Sequence, residues 1–169
     1  MIETLALRMA THIKSTIPDH PASVAVLKHS LSIVLNVAFI VCLTMGAALL
    51  TGKVKEASLM LVMFAILRQI TGGIHLKTGI GCVLVTSIVC TALSFFTLSY
   101  KLSIGATILS IILILIYAPS GIEKQSRIPK RYYPLLKTIA VLLVGTNLVF
   151  ASSILAISFL IQSITLIRR

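Results

Sequence analysis

Apolar residues fall into long runs separated by short polar breaks, and the runs are sized for a bilayer. Ahead of the first, Ile2, Leu5, Ala6, Met9 and Ile13 recur at helical spacing opposite Glu3, Arg8, His12 and Lys14. That pattern predicts an amphipathic helix lying on a membrane face over residues 1–17. Pro18 and Pro21 end it, because proline cannot donate the N–H that a continuing helix needs. Residues 31–50 form an apolar run of 20, which at about 1.5 Å per residue covers a hydrocarbon core of about 30 Å. After Lys53, Lys55 and Glu56, the run 57–67 has only 11 residues. It makes a full crossing only if Ile70 and its neighbours extend it.

Gly72, Gly73, Gly79 and Gly81 then punctuate the chain, and a third span is expected over residues 82–99. Non-helical backbone at membrane depth is tolerated only where it is buried in protein or lines a wet cavity, so this break marks a candidate site. A fourth span covers residues 102–118 and stops at Pro119. The longest polar insert follows at 120–137, with Lys124, Arg127, Lys130, Arg131 and Lys137 against the single acid Glu123. Residues 139–167 are a 29-residue apolar run containing Asn147, Ser152 and Ser153 near its middle, too long for one untilted helix and open to division into a hairpin.

Composition settles the class. Of the 169 residues 57% are hydrophobic and four are acidic, with a mean hydropathy of +1.07, far above a soluble domain's usual balance. The chain reads as one integral membrane domain over residues 1–169. Its net charge of +11 does not indicate nucleic acid, because the basic residues occupy breaks between apolar runs and form no continuous stripe. They report topology instead. Six spans with both ends inside put 12 Lys and Arg on the inner side and three (Lys53, Lys55, Lys101) outside, whereas five spans give ten and five. The positive-inside rule favours six. Either count puts the glycine-rich break and the 120–137 insert on the cytoplasmic side. No cleavable signal peptide is expected, since Glu3, Arg8 and Lys14 interrupt the first apolar pattern. Cys42 and Cys90 fall inside apolar spans, so the three cysteines suggest no disulfide scaffold. No acid lies within an apolar span to serve a zinc or aspartyl site, and no metal or cofactor is expected.

The break does hold a nucleophile and a base. His75 and Cys82 stand seven residues apart in it, and a thiol beside an imidazole is the minimal apparatus of a cysteine peptidase: the sulfur attacks, and the imidazole moves the protons. If Thr78 caps the third span, Cys82 lies in a first helical turn, where the dipole's positive end favours a thiolate. On one continuous helix the two side chains would sit about 10 Å apart, so the backbone must fold back between them, which the glycines permit. Arg68 stands ready for a carboxylate or an oxyanion. No Asp or Glu lies near to orient His75, which leaves a backbone carbonyl or a side chain such as Gln69. Other readings stand beside this one. A cysteine in an apolar span is usually a packing residue, Arg68 and Lys77 are ordinary flanking charges that snorkel, and Asn36 and Asn147 are expected to bond between helices.

The order Arg68, Gly72-Gly73, His75 and Cys82, then Tyr117-Ala118-Pro119 with Glu123-Lys124 and Ile128-Pro129, resembles the accessory gene regulator B family of Gram-positive quorum-sensing systems. The resemblance implies an all-α polytopic membrane protein with about six transmembrane helices, an N-terminal amphipathic interfacial helix and the glycine-rich break before the third span. It implies a cell-membrane cysteine endopeptidase that removes the C-terminal tail of an autoinducer precursor, with Cys82 as nucleophile and His75 as base. The rest of the peptide would be held as a thioester and closed to a thiolactone or lactone by an internal cysteine or serine. Arg68 and Gly73 match neighbouring motif positions. Lys77 would flank the substrate, and Lys124, Arg127, Lys130 and Arg131 would suit the acidic tail of a precursor whose amphipathic N-terminal segment shares the bilayer face. The family also implies a homodimer. Leu76 follows the histidine where the family often has a small residue, and the basic insert is sparser in lysine than is common, which bears on substrate identity. The competing expectation is a non-catalytic multispan transport or assembly subunit, such as a peptide exporter, with the break as a hinge or permeation element.

Overall fold

The computed structural model describes residues 1–74, 78–122 and 128–167. The first helix, α1 (Ile2–Thr16), lays Ile2, Ala6 and Ala10 on neighbouring protein. These residues recur every fourth position and so share one face, while Leu5 and Met9 stay outward at 42% and 39% exposure. Glu3 reaches Lys28 at 3.8 Å, pinning α1 to α2 (Val24–Thr51). The second helix starts well before the apolar run because the Ser23 hydroxyl caps it, accepting from the Val26 N–H at 3.3 Å. It ends at Gly52 in the left-handed region, φ 71°, where glycine carries no Cβ penalty.

The short run 57–67 proves to be the middle of a longer helix, α3 (Val54–Thr71). Lys55, Glu56 and Arg68 lie at its two ends. Next come α4 (Gly79–Leu93) and α5 (Tyr100–Tyr117). The third span was expected to run to residue 99, but α4 stops at Leu93, where the Ser94 hydroxyl turns back to the Thr91 carbonyl at 2.7 Å. After α5 the Ala118–Pro119 peptide is cis. A single 3-10 turn, Lys130–Tyr132, opens α6 (Tyr133–Gly145), so Lys137 belongs to that helix rather than to the insert, and its ammonium donates to the Leu115 carbonyl at 2.9 Å.

The 29-residue apolar run is divided. Short α7 (Asn147–Phe150) ends at Ala151, φ 47°, and α8 (Ser153–Ile164) runs on from there. Asn147 makes the division: its Oδ1 accepts from the Ser152 N–H at 2.9 Å, and its Nδ2 donates to the Thr107 hydroxyl at 2.9 Å and the Ser152 carbonyl at 3.2 Å. One fully buried amide thereby satisfies the broken helix and ties it to α5, as expected of an interhelical asparagine.

Helix α8 is the most enclosed element, with Leu155, Ala156, Ile157, Ser158, Phe159, Gln162 and Ser163 all buried. Phe159 joins Leu67, Ile114, Ala140 and Val144 in one core cluster, while Ile157 joins Met60, Leu61 and Cys90 in another. The Ser158 hydroxyl donates to the Met60 carbonyl at 3.0 Å, fixing α8 along α3. Among the described residues three segments, Val24–Thr51, Tyr100–Tyr117 and Lys130–Phe150, are long and apolar enough to cross a membrane, and Gly79–Leu93 and Ser153–Ile164 are shorter apolar helices. Between them, α2 has only Thr44 and Ala48 buried, leaving an apolar surface that suits lipid and not water. The chain is an all-α membrane protein whose glycine-rich break separates α3 from α4.

Candidate active site

Three consecutive residues of the break are held by three other parts of the chain. The Gly72 N–H closes the end of α3 on the Arg68 carbonyl at 2.8 Å, the Gly73 N–H donates to the Ser120 carbonyl at 2.8 Å, and the Ile74 N–H donates to the Thr165 carbonyl at 2.9 Å. Ser120 replies through its own N–H to the Thr71 carbonyl at 2.9 Å. The fully buried Gln162, in the last turn of α8, donates from Nε2 to the Gly72 carbonyl at 2.7 Å and to the Thr71 hydroxyl at 3.2 Å. Non-helical backbone in an apolar protein needs such partners, and here they come from the segment after α5 and from the end of α8.

The glycines are required by this closeness. Gly72 has φ 75° and Gly73 φ 127°, conformations that disfavour side chains. A Cβ on Gly72 would run into the Ser120 carbonyl oxygen, and one on Gly73 would come within 2.6 Å of the Thr165 hydroxyl.

On the other side of the break, Thr78 is the N-cap of α4: its hydroxyl accepts from the Gly81 N–H at 3.3 Å. Cys82 makes the first helical bond, from its N–H to the Thr78 carbonyl at 3.1 Å. The half-buried thiol therefore sits at the end of α4 that carries the positive half of the dipole. Arg68 comes to the same place from α3, with its guanidinium in electrostatic reach of the Cys82 sulfur. It also donates to the Ile74 carbonyl at 2.6 Å and lies over the Phe64 ring at 5.8 Å. The capped helix end carries the partial positive charge of the dipole, where a developing oxyanion would be met.

Of the residues singled out in the sequence, Arg68 lies in electrostatic reach of Cys82. Gly73 serves through its backbone, packed between Ser120 and Thr165. Lys130 and Arg131 are exposed on the 3-10 turn ahead of α6, Arg131 stacking on Tyr132 at 4.8 Å. His75, Lys77, Lys124 and Arg127 lie outside the described residues. Cys90 is buried, as expected of a packing cysteine in an apolar run, whereas Cys42, expected to pack likewise, is exposed on α2. Sequence reasoning missed Ser120, Gln162 and Thr165. Gln162 did carry a signal, since a glutamine deep in an apolar run must find a partner. Asn36, expected to bond between helices, instead rests its amide against Gly79, and its Oδ1 is buried with no hydrogen-bond partner among the described residues.

A sequence model of the accessory gene regulator B family matches residues 6–166. A protein of Halalkalibacterium halodurans described as AgrB-like is 34% identical over 95 residues, which cover 56% of this chain and 48% of that protein. The match thus spans about half the length of that relative. No solved structure matches the chain.

Proposed function

The chain belongs to the accessory gene regulator B family of quorum sensing, and from that premise we propose that it is a membrane-embedded cysteine endopeptidase maturing an autoinducer precursor. The observation that carries this reading is the placement of Cys82 in the capped first turn of α4, in electrostatic reach of Arg68. His75 is the base. It takes the thiol proton as Sγ attacks the scissile carbonyl, and Arg68 with the helix end steadies the oxyanion. Collapse of that intermediate breaks the C–N bond, and the imidazolium gives its proton to the departing amine of the tail. The acyl group then remains on Cys82 as a thioester. An internal cysteine or serine of the same peptide attacks the thioester carbonyl, giving its proton to the imidazole and returning Cys82, and the ring closes as a thiolactone or lactone.

Water competes with ring closure for the thioester, so a site at the membrane boundary favours cyclisation by limiting water. The substrate in this reading is a short peptide with an amphipathic N-terminal segment and an acidic C-terminal tail. Lys124, Arg127, Lys130 and Arg131 receive the tail, and Lys77 and Gly73 flank the scissile segment. The protein sits multi-pass in the cell membrane with both termini in the cytoplasm, as the distribution of Lys and Arg supports.

Mass spectrometry of the candidate precursor after co-expression with wild type, Cys82→Ser or His75→Ala tests the reading, each variant being checked for membrane abundance. Tail loss with wild type alone is expected, with a product mass one water below the linear fragment. Equal cleavage by Cys82→Ser would remove Cys82 as nucleophile, and an intact precursor in all three samples would remove the peptidase.

A further inference from the structure

Asn36 lies in the apolar stretch of α2, and its side chain fills the notch left by Gly79, the first residue of α4. A Cβ there would meet Oδ1 at 2.9 Å and Nδ2 at 3.1 Å. Gly79 precedes Cys82 by three residues, a spacing that puts both on one face of the same turn. The amide therefore stands beside the turn that carries the nucleophile. Its Oδ1 is buried, and among the described residues no donor reaches it. The contrast with Asn147 is plain, because there every arm of a buried amide is used. An acceptor shielded from water and left unpaired is costly in an apolar protein, and such an orphan calls for a particular explanation.

We propose that Asn36 is a substrate-binding residue: its amide oxygen accepts a main-chain N–H of the precursor peptide next to the scissile bond, setting the carbonyl in register with Cys82. This rests on the peptidase reading above. The donor comes with the peptide, which accounts for an acceptor left open in the free protein. A cleft of about 320 Å³ lies between the start of α1 and the Thr78, Gly79 and Ile80 end of α4; it shares Gly79 with the amide, while Asn36 and Cys82 are not among its lining residues. An extended peptide offers one N–H per residue and needs a fixed acceptor to choose among registers. Gly79 has its own part, since only a residue without Cβ lets the amide come this close to α4.

The test uses the protein in lipid nanodiscs and a synthetic peptide of the proposed kind, with an amphipathic N-terminal segment, an internal cysteine or serine and an acidic C-terminal tail. Single peptide N–H groups around the scissile bond are replaced one at a time by ester oxygen. With wild type, one ester position is expected to lower kcat/KM about tenfold, the loss of one buried hydrogen bond. With Asn36→Leu, kcat/KM falls about tenfold for the normal peptide and that ester costs nothing further. Asn36→Asp, which keeps an acceptor oxygen, retains the ester penalty, and Gly79→Ala, which displaces the amide, removes it. The last two carry the test should the leucine variant fail to accumulate.

Iodoacetamide labelling of Cys82 and the pH profile of kcat are expected to be unchanged in Asn36→Leu. An ester penalty of equal size in wild type and Asn36→Leu overturns the inference while the peptidase stands. Altered labelling or a displaced pH profile overturns it as well, because the amide would then act on the cysteine or its base. A wild-type protein that leaves the peptide intact removes the peptidase reading itself.

Discussion

The Arg68 guanidinium donates to the Ile74 carbonyl at 2.6 Å, tying the last turn of α3 to the residue ahead of His75 while lying in electrostatic reach of Cys82. One side chain thus holds the break within electrostatic reach of the candidate nucleophile. Arg68→Lys keeps the charge and loses the planar fork that reaches two partners. Precursor cleavage is expected to fall about 10- to 100-fold, the scale of one hydrogen bond to a charged group, with membrane abundance unchanged. Cleavage at the wild-type rate would mean that charge alone suffices.

Gly72→Ala should be among the most damaging single changes in the chain. Its φ of 75° and the Ser120 carbonyl in the path of a Cβ leave no room without moving the segment after α5. Gly46 and Gly105 have nothing within 4 Å of the position a Cβ would take, so alanine there should be neutral or stabilising by about 0.5–1 kcal/mol. Thermal denaturation in detergent compares the three, and equal melting temperatures would refute the close approach at Gly72.

Gln162→Leu leaves the Gly72 carbonyl and the Thr71 hydroxyl without their donor. A loss of about 1–3 kcal/mol is expected, read as a lower melting temperature, together with slower cleavage because the break loosens. If stability falls and the cleavage rate per folded molecule does not, Gln162 serves the fold alone.

The double variant Cys42→Ser, Cys90→Ser should keep full precursor cleavage. Cys42 faces outward, and Cys90 packs with Met60, Leu61 and Ile157, so only a small stability cost is expected. Loss of cleavage without loss of folded protein would reopen the choice of nucleophile.

Lys130→Glu and Arg131→Glu should each raise KM about two- to fivefold for a peptide with an acidic tail, an effect that shrinks as salt is added, since both residues are exposed and such charges are screened. A peptide with an uncharged tail should respond to neither. Equal effects on both peptides would take the tail off this surface.

Much of the architecture was legible because helix formation in an apolar chain is a local matter. Runs of apolar residues mark where the helices lie, Thr78 caps α4 as a side chain in its position does, and Pro119 stops α5 wherever the rest of the protein sits. The candidate site was legible only in its chemistry. Arg68, the glycines, His75 and Cys82 stand out as residue types an oily chain has no other need of, yet the spacing shows neither what holds the break nor which side chains share its space. Lys137 shows the same limit on a smaller scale: by composition it ends a basic insert, and in the fold it belongs to α6 because its ammonium finds the end of α5.

What the sequence determined by itself, then, is the order of the apolar segments, the division between apolar body and basic breaks, and the presence of a thiol and an imidazole at one interruption. Tertiary structure alone decided that Ser120, Gln162 and Thr165 grip Gly72, Gly73 and Ile74, that Arg68 comes into electrostatic reach of Cys82, and that the Asn36 amide oxygen is left unpaired among the described residues beside the first turn of α4. The physical reason is range. Apolar periodicity and capping act within a turn or a span, whereas hydrogen bonds between residues some 90 positions apart, such as Gln162 to Gly72, depend on how helices slide and rotate against one another, and no local pattern encodes that register.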